Sequence, residues 1–536
     1  MDQCRGLDDG LASQGLAPAR GRPVVCRPPR CDRMEHREPA DRGCRDGHGA
    51  AARRLRATEW DIVSQPTADV AIIGGGPGGY EAALVAAQLG AEVTVVEADG
   101  LGGACVLTDC VPSKTLIATS ETMGILAGSP GLGIRIEGYD GRMRPRPGVP
   151  AGPVTVDAVR VNDRVKALAL AQSADVAARL SAEGVEVIAG RGILTGAHTV
   201  VVDGREISAG VVLLATGGMP RQLRGAEPDG ERILNWRQLY DLAELPEELI
   251  VVGSGVTGAE FASAYQALGS QVTLISSRER VLPNEDPDAA MVVEDVFRRR
   301  GMTVLSRSRA AGVKREGSGV AVTLDDGRTV RGSHCLLTVG VVPATEGLGL
   351  DQAGVKVDER GFVIVDKVSR TSAAGVYAAG DCTGILMLAS VAAMQGRIAM
   401  WHALGEAVQP LRLSHVAATI FTEPEIATVG VTQAAVDSGQ VEASTVKLPL
   451  ATNARAKMQG FRDGFVKLFA RPRTGAVIGG VVVAPRASEL ILGVSLAVEQ
   501  MLTVDQMAHT FAVYPSLSGS LTEAARRLMR PGRDSA

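Results

Sequence analysis

The sequence predicts an α/β chain built on two Rossmann-like units. Three observations predict it. Two glycine-rich turns each sit between a short apolar strand pattern and a helical one. The strand that closes the first unit ends in an acid. The chain of 536 residues is long enough for three or four domains, each with its own core.

The first unit runs from Ala68 to Glu97. Val70-Ala71-Ile72-Ile73 is a short apolar run of buried-strand type. Gly74-Gly75-Gly76-Pro77-Gly78-Gly79 follows and opens a helix expected to run to about Leu89. Val93 to Val96 forms the next strand, closed by Glu97. Gly74 allows the tight turn, Gly76 lets a pyrophosphate approach the backbone, and Gly79 lets helix and strand pack closely. The helix N-terminus meets the phosphate charge, and Glu97 can accept hydrogen bonds from a ribose 2′-hydroxyl.

The pattern recurs at Leu249 to Ile275. Leu249 to Val252 leads into Gly253-Ser254-Gly255-Val256-Thr257-Gly258, then a helix to about Leu268 and a strand from Val272 to Ile275. In the first unit the acid lies 23 positions after the first glycine, and the same offset from Gly253 lands on Ser276. Arg278 and Arg280 follow. A carboxylate there would repel a 2′-phosphate, whereas Ser276 and Arg278 can hydrogen-bond one, so the second site is expected to accept NADPH as well as NADH. The simplest pairing of tenants is a tightly held FAD in the first site and a diffusing nicotinamide in the second.

Between the two units lies Gly102-Gly103-Ala104-Cys105-Val106-Leu107-Thr108-Asp109-Cys110-Val111-Pro112-Ser113-Lys114. Its C-x4-C spacing suits a redox-active dithiol, a buried pair or half a metal site. No second Cys/His cluster stands nearby to complete a metal site, so the dithiol is the preferred reading and no metal is expected. Cys110 stands at a helix start just before Lys114, where dipole and cation favour a thiolate.

Composition narrows the partners. A hydrophobic share of 45% and a charged share of 22% are those of an ordinary soluble globular protein. A net charge of -4 gives no reason to expect nucleic acid or an anionic membrane as partner. The most continuous apolar stretch, Gly475 to Ala484, falls short of the ~18 residues of a membrane span. Four of the eight cysteines lie in the first 66 residues, too sparse a set overall for a secreted disulfide framework. A soluble, cytoplasmic protein is expected. The first 62 residues hold twelve Arg, no Lys and no apolar period. Residues 1–65 are expected to be a disordered extension, or to precede a true start near Val63, with an Arg-rich functional arm as the other reading.

From about Ala68 to Met529 the chain resembles the FAD-dependent pyridine nucleotide–disulfide oxidoreductases, which include dihydrolipoamide dehydrogenase and glutathione reductase. The matches are specific and in order. They include both glycine loops, the dithiol segment, Ala215-Thr216-Gly217 and Gly340-Val341-Val342-Pro343. Val376-Tyr377-Ala378-Ala379-Gly380-Asp381, Phe421-Thr422-Glu423-Pro424-Glu425 and Asn453-Ala454-Arg455-Ala456 complete the series. The resemblance implies an FAD-binding domain at 66–220, an NAD(P)-binding domain at 221–341, a returning FAD segment at 342–410 and a C-terminal α+β dimerisation domain at 411–536. It implies a homodimer. It also implies that Thr216, Gly217, Gly380 and Asp381 hold FAD, that Lys114 and Glu260 pair beside the flavin, and that Cys110 faces the flavin while Cys105 meets the substrate. Gly138 to Pro153, rich in Gly and Pro, is expected to be a surface loop.

One departure matters most. The family's His-Pro motif aligns with Tyr514-Pro515, and its partner Glu with Gly519. A phenol of pKa ~10 is a poor base near neutral pH, and glycine orients nothing. Losing a positioned acid–base group costs typically ~10²–10⁴-fold, and thiol–disulfide exchange needs a thiolate at each step. His509, at the end of a helical pattern, reads as structural or exposed. Ser390 and Gln395 replace the His and Glu often seen in lipoamide enzymes. The ending around Tyr514 and the Gly103 to Cys110 segment resemble the subgroup that reduces quinones with NAD(P)H. A quinone reductase is therefore the expected function, with dihydrolipoamide dehydrogenase or another disulfide reductase as the alternative. In a dimer, Tyr514 is expected to face the other chain's dithiol.

Overall fold

The first glycine turn joins a buried strand to a helix. The computed structural model describes residues 67–134, 136 and 154–529. The expected N-terminal extension and the Gly138 to Pro153 loop lie outside the described residues. β1 (Ala68–Ile73) feeds α1 (Pro77–Gln88), and the chain returns as β2 (Val93–Glu97), parallel to β1. Residues 70–73 are almost wholly buried, as a parallel strand covered on both faces requires. Then come α2 (Gly103–Leu107), α3 (Cys110–Gly128) and α4 (Ala158–Ala182). β3 (Glu186–Ala189), β4 (Ile193–Gly196), β5 (Thr199–Val202) and β6 (Arg205–Leu214) complete the chain's first passage through this sheet. The order is β3-β2-β1-β6-β5-β4, parallel as far as β6 and antiparallel beyond it.

The second unit repeats the plan. β7 (Ile233–Asn235), β8 (Glu248–Val252), α5 (Val256–Leu268), β9 (Gln271–Ile275), α6 (Pro287–Arg299), β10 (Thr303–Leu305) and β11 (His334–Leu337) build a parallel sheet in the order β10-β9-β8-β11-β7. The chain then rejoins the first sheet: β12 (Val376–Ala378) pairs with β6, and α7 (Ala389–Ala403) follows. Gly396 on α7 sits against the Gly78 carbonyl of α1, so the two helices touch backbone to backbone.

The C-terminal part is an antiparallel sheet carrying helices. β13 (Ala417–Ile420), β14 (Glu425–Gly430), β15 (Ser444–Pro449), β16 (Phe465–Ala470) and β17 (Val477–Ala484) lie in the order β13-β14-β17-β16-β15. α8 (Ala487–Glu499), α9 (Val504–Ala508) and α10 (Gly519–Leu528) follow.

Lys467 is an unexpected tenant in the middle of β16. Its side chain is 2% exposed, and its ammonium lies 2.7 Å from Asp286 and 2.6 Å from Asp288. Asp286 caps α6 by accepting from the Asp288 and Ala289 amides. A buried lysine thus ties the C-terminal sheet to the second nucleotide unit. Removing the cation strands a buried carboxylate, which costs about 3–5 kcal/mol. Lys467→Met is expected to lower unfolding stability by about that much. A chemical-denaturation midpoint equal to that of the parent protein would contradict this account of the tether.

Candidate functional site

The dithiol segment is pinned directly on the first phosphate loop. Gly102 donates its amide to the Gly75 carbonyl at 2.9 Å. Gly103, at φ +56, lies so close that a Cβ there would come within 2.9 Å of the Gly76 Cα. Only glycine at 102 and 103 allows α2 to start this close, which explains a pair that the sequence left without a role. Gly79 packs against the Gly74 carbonyl, and in the second unit Gly258 packs against that of Gly253. Gly76 differs, since a Cβ there would meet nothing nearer than the Gly103 Cα at 4.0 Å. Gly255 has nothing within 4 Å. Both loops therefore present bare backbone at a helix N-terminus, the surface a pyrophosphate needs.

A cavity of about 1010 Å³ opens from the first loop and reaches Glu97, Thr216, Gly217, Gly380, Asp381 and both thiols. That size suits a large cofactor. Glu97 stands at the end of β2, its carboxylate accepting from the amides of Gly75, Asp99 and Gly100. Gly380 is held by its amide, which donates to the side-chain Oε1 of buried Gln395 at 2.9 Å. The donor set fits FAD, with Glu97 at the ribose, the Gly76 backbone at the pyrophosphate and Asp381 further along.

Lys114 projects from α3 and meets Glu260 of α5 at 2.7 Å. Glu260 is 4% exposed and its other oxygen accepts from the Phe421 amide at 2.9 Å. The Lys114 ammonium also lies 4.8 Å from the centre of the Phe421 ring. Burial alone would lower the lysine's pKa, but the Glu260 carboxylate outweighs it and the net shift is upward. A permanent cation is thereby fixed at the edge of the dithiol.

Cys105 and Cys110 are both free and partly buried. Cys105 hydrogen-bonds to Cys110, and that bond, burial and the charges of Asp109 and Asp381 all push the Cys105 thiol up. Cys110 moves the other way, lowered first by the bond from Cys105 and then by Lys114 against the cost of burial. Cys110 is thus the sulfur on which negative charge is the more favoured. Asp109, absent from the sequence-based set, lines the same cavity. Burial raises its carboxyl, with Lys114 opposing. Burial, with Asp109 adding, pushes Asp381 up to about 6. An Asp immediately before the second cysteine was the available signal for Asp109.

All five described histidines are engaged elsewhere. His198 bonds the Ala209 carbonyl, His334 meets Arg232, His402 meets Tyr377, and His415 meets Glu499. His509 closes α9 and bonds the Asp505 carbonyl, exposed as expected. None is among the groups acting most strongly on the Cys105 thiol. Tyr514 is 85% exposed, beside exposed Phe511 and Val513, and does not line its own chain's cavity. Gly519 begins α10, its amide donating to Ser516.

The second nucleotide site needs one correction. Ser276 is wholly buried, and its hydroxyl accepts from Ser254 at 2.6 Å and from the Arg278 amide. It therefore cannot reach a 2′-phosphate. The offset from Gly253 located the strand end but not the direction of the side chain. Arg278 is exposed, and the neighbouring acid Glu279 is paired with Arg307 at 2.5 Å.

Two nucleotide cradles, the first opening onto a pair of thiols, define a nucleotide-dependent oxidoreductase. The chain belongs to the pyridine nucleotide-disulphide oxidoreductase family, which matches residues 68–396, with that family's dimerisation domain at 416–525. A Mycobacterium tuberculosis protein named NAD(P)H dehydrogenase (quinone) is 57% identical over 474 residues, covering 86% of this chain and 94% of that one. A dihydrolipoyl dehydrogenase of Chlorobaculum tepidum is 35% identical over 466 residues, covering 85% and 96%. The crystal structure of LpdA from Mycobacterium tuberculosis superposes with a TM-score of 0.80 at 56% identity, covering 86% of this chain and 99% of that one. The expected family, the α/β fold with a dimerisation domain, and FAD with NAD(P)H as cofactors are thus borne out.

The raised Asp381 carboxyl has a measurable consequence. Its folded pKa of about 6 lies above its ordinary 3.8, so its contribution is complete below about 4 and is lost as pH rises through about 6. In flavin-free protein, Asp381→Asn is expected to lose less stability than the parent between those limits, read as melting temperature against pH. Parallel curves would contradict the assignment.

Proposed function

We propose that this chain is an FAD-containing NAD(P)H:quinone oxidoreductase. The observation that carries the reading is the pairing of a fixed cation at Lys114 with a dithiol that no described histidine serves. FAD, when bound, supplies the two-electron store between nicotinamide and acceptor. Gly76, Glu97, Thr216, Gly217, Gly380 and Asp381 bind it, and Lys114, held by Glu260, favours negative charge at the ring edge. Gly253, Gly255 and Gly258 cradle the nicotinamide coenzyme, and Arg278 remains available for a 2′-phosphate, so NADPH is accepted alongside NADH. A quinone takes electrons at a reduced ring without a thiolate relay, so the missing imidazole does not obstruct it. The relative named NAD(P)H dehydrogenase (quinone) supports the same reading.

Dihydrolipoyl dehydrogenase is the second reading, because both cysteines are present and adjacent and a relative of that name is 35% identical. What weighs against it is proton transfer: an exposed tyrosine and a glycine stand where an imidazole and its carboxylate are needed. The protein is placed in the cytoplasm as a homodimer. The matched dimerisation domain and the exposed run Phe511, Val513 and Tyr514 support pairing, with Tyr514 set toward the partner's dithiol. No helix among the described residues is long and apolar enough to cross a membrane.

Steady-state turnover of the flavin-loaded protein separates the two readings. With NADPH, a benzoquinone is expected to turn over at least about a hundredfold faster than lipoamide. Lipoamide rates near the quinone rate would make the disulfide reductase the better answer.

A further inference from the structure

Quinone reduction, the reading on which this inference rests, leaves one proton to be placed. NAD(P)H, a proton and a quinone give NAD(P)+ and a hydroquinone. The nicotinamide supplies two electrons and one hydrogen nucleus, and the second proton must reach an acceptor oxygen from elsewhere. We propose that Asp109 holds and delivers that proton, taking the part an imidazole plays where one is present.

The argument begins with an unused cap. Asp109 is the N-cap residue of α3, a position where an aspartate ordinarily accepts from the helix's first amides. Its side chain makes no such bond, and of the helix's first amides that of Ser113 donates to its backbone carbonyl at 2.8 Å. Asp109 instead lines the cavity that also holds Cys105, Cys110 and Asp381. Its backbone is fixed, since its amide donates to the Ala104 carbonyl at 2.8 Å.

The groups around it come from every neighbouring element. Lys114 of α3 and Arg237, just after β7, supply positive charge, and the Trp236 indole adds to them in favouring the carboxylate, while burial outweighs all three. Glu260 of α5 opposes. Asp381, after β12, and the two sulfurs feel the Asp109 charge in turn. So does the buried Tyr240 phenol. Burial favours the neutral carboxyl over the carboxylate, so the group can carry a proton where an exposed aspartate would not. Of the other carboxyls lining the cavity, Asp381 is the one that acts on the Cys105 thiol, and it is assigned to FAD. Once Asp109 has given its proton to the acceptor oxygen, solvent at the cavity mouth reprotonates it, and the balance closes.

The test uses flavin-loaded Asp109→Asn and Asp109→Glu with NADPH and two acceptors across pH. A benzoquinone takes up protons, and ferricyanide takes electrons alone. In Asp109→Asn the ratio of quinone to ferricyanide turnover is expected to fall about a hundredfold. The parent's decline in quinone rate toward alkaline pH should disappear in that variant. Asp109→Glu, which keeps a carboxyl on a longer arm, should recover part of the ratio and keep a pH-dependent rate. A second readout does not involve turnover: the pH midpoint for alkylation of the reduced dithiol by iodoacetamide should drop in Asp109→Asn, because no carboxylate then opposes the thiolate. An unchanged ratio and pH profile in Asp109→Asn would overturn the proposal. If the parent protein reduces no quinone, the functional reading itself fails. Alkylation then decides the placement of Asp109: a lowered midpoint supports it and an unmoved one overturns it.

Discussion

One buried carboxylate, Glu260, holds the catalytic geometry together. It stands on the helix after the second glycine turn, pairs with Lys114 from the first nucleotide unit, and accepts from the Phe421 amide at the start of the C-terminal domain. Three parts of the chain meet on its two oxygens. With 4% of its surface exposed it cannot be left unpaired, because a lone buried carboxylate costs several kcal/mol. The position of Lys114 is therefore a consequence of how the domains dock. Ser263, one turn along the same helix, accepts from the Glu423 amide and repeats the contact, and Arg300 adds a third through the Glu423 carboxylate at 2.7 Å.

That junction adds to the electrical lopsidedness of the dithiol. The bond from Cys105 comes first in favouring negative charge on Cys110, and Lys114 adds to it against burial and Asp109. That same bond, burial, Asp109 and Asp381 discourage charge at Cys105. A sulfur meant to attack an external disulfide must become a thiolate, and Cys105 is the one held furthest from that state. A Cys110 that favours charge and a Cys105 that resists it suit a pair that stores electrons or stands aside better than one that exchanges them with a bulky disulfide. The carboxylates beside the thiols and the missing imidazole act in the same direction.

Much of this was legible from residues alone, for identifiable reasons. Glycine turns announce themselves because Gly74 and Gly79, with their counterparts Gly253 and Gly258, sit where any Cβ would strike backbone. The Lys114–Glu260 contact spans 146 positions, and no local pattern foretells it, so only the resemblance offered it. Ser276 was misjudged because counting along a chain gives a position and not a side-chain direction. Lys467 hides inside Phe465-Val466-Lys467-Leu468-Phe469, a run that passes for an apolar strand until its two aspartates arrive from elsewhere. Asp109 escaped notice because a carboxylate between a threonine and a cysteine looks like an ordinary turn residue until the cavity around it is seen. Tyr514 is exposed, and no described neighbour on its own chain gives it a role.

The central claim is that electrons leave the reduced flavin for a ring acceptor without passing through the thiols. The most direct check is stopped-flow reoxidation of anaerobically reduced protein carrying Cys105→Ser and Cys110→Ser, mixed with a benzoquinone and followed by flavin absorbance. The account predicts reoxidation within about a factor of three of the parent's rate, a margin of less than 1 kcal/mol in barrier. A collapse of the rate by about a hundredfold or more, the size of a lost catalytic group, would put the dithiol back on the path and contradict it.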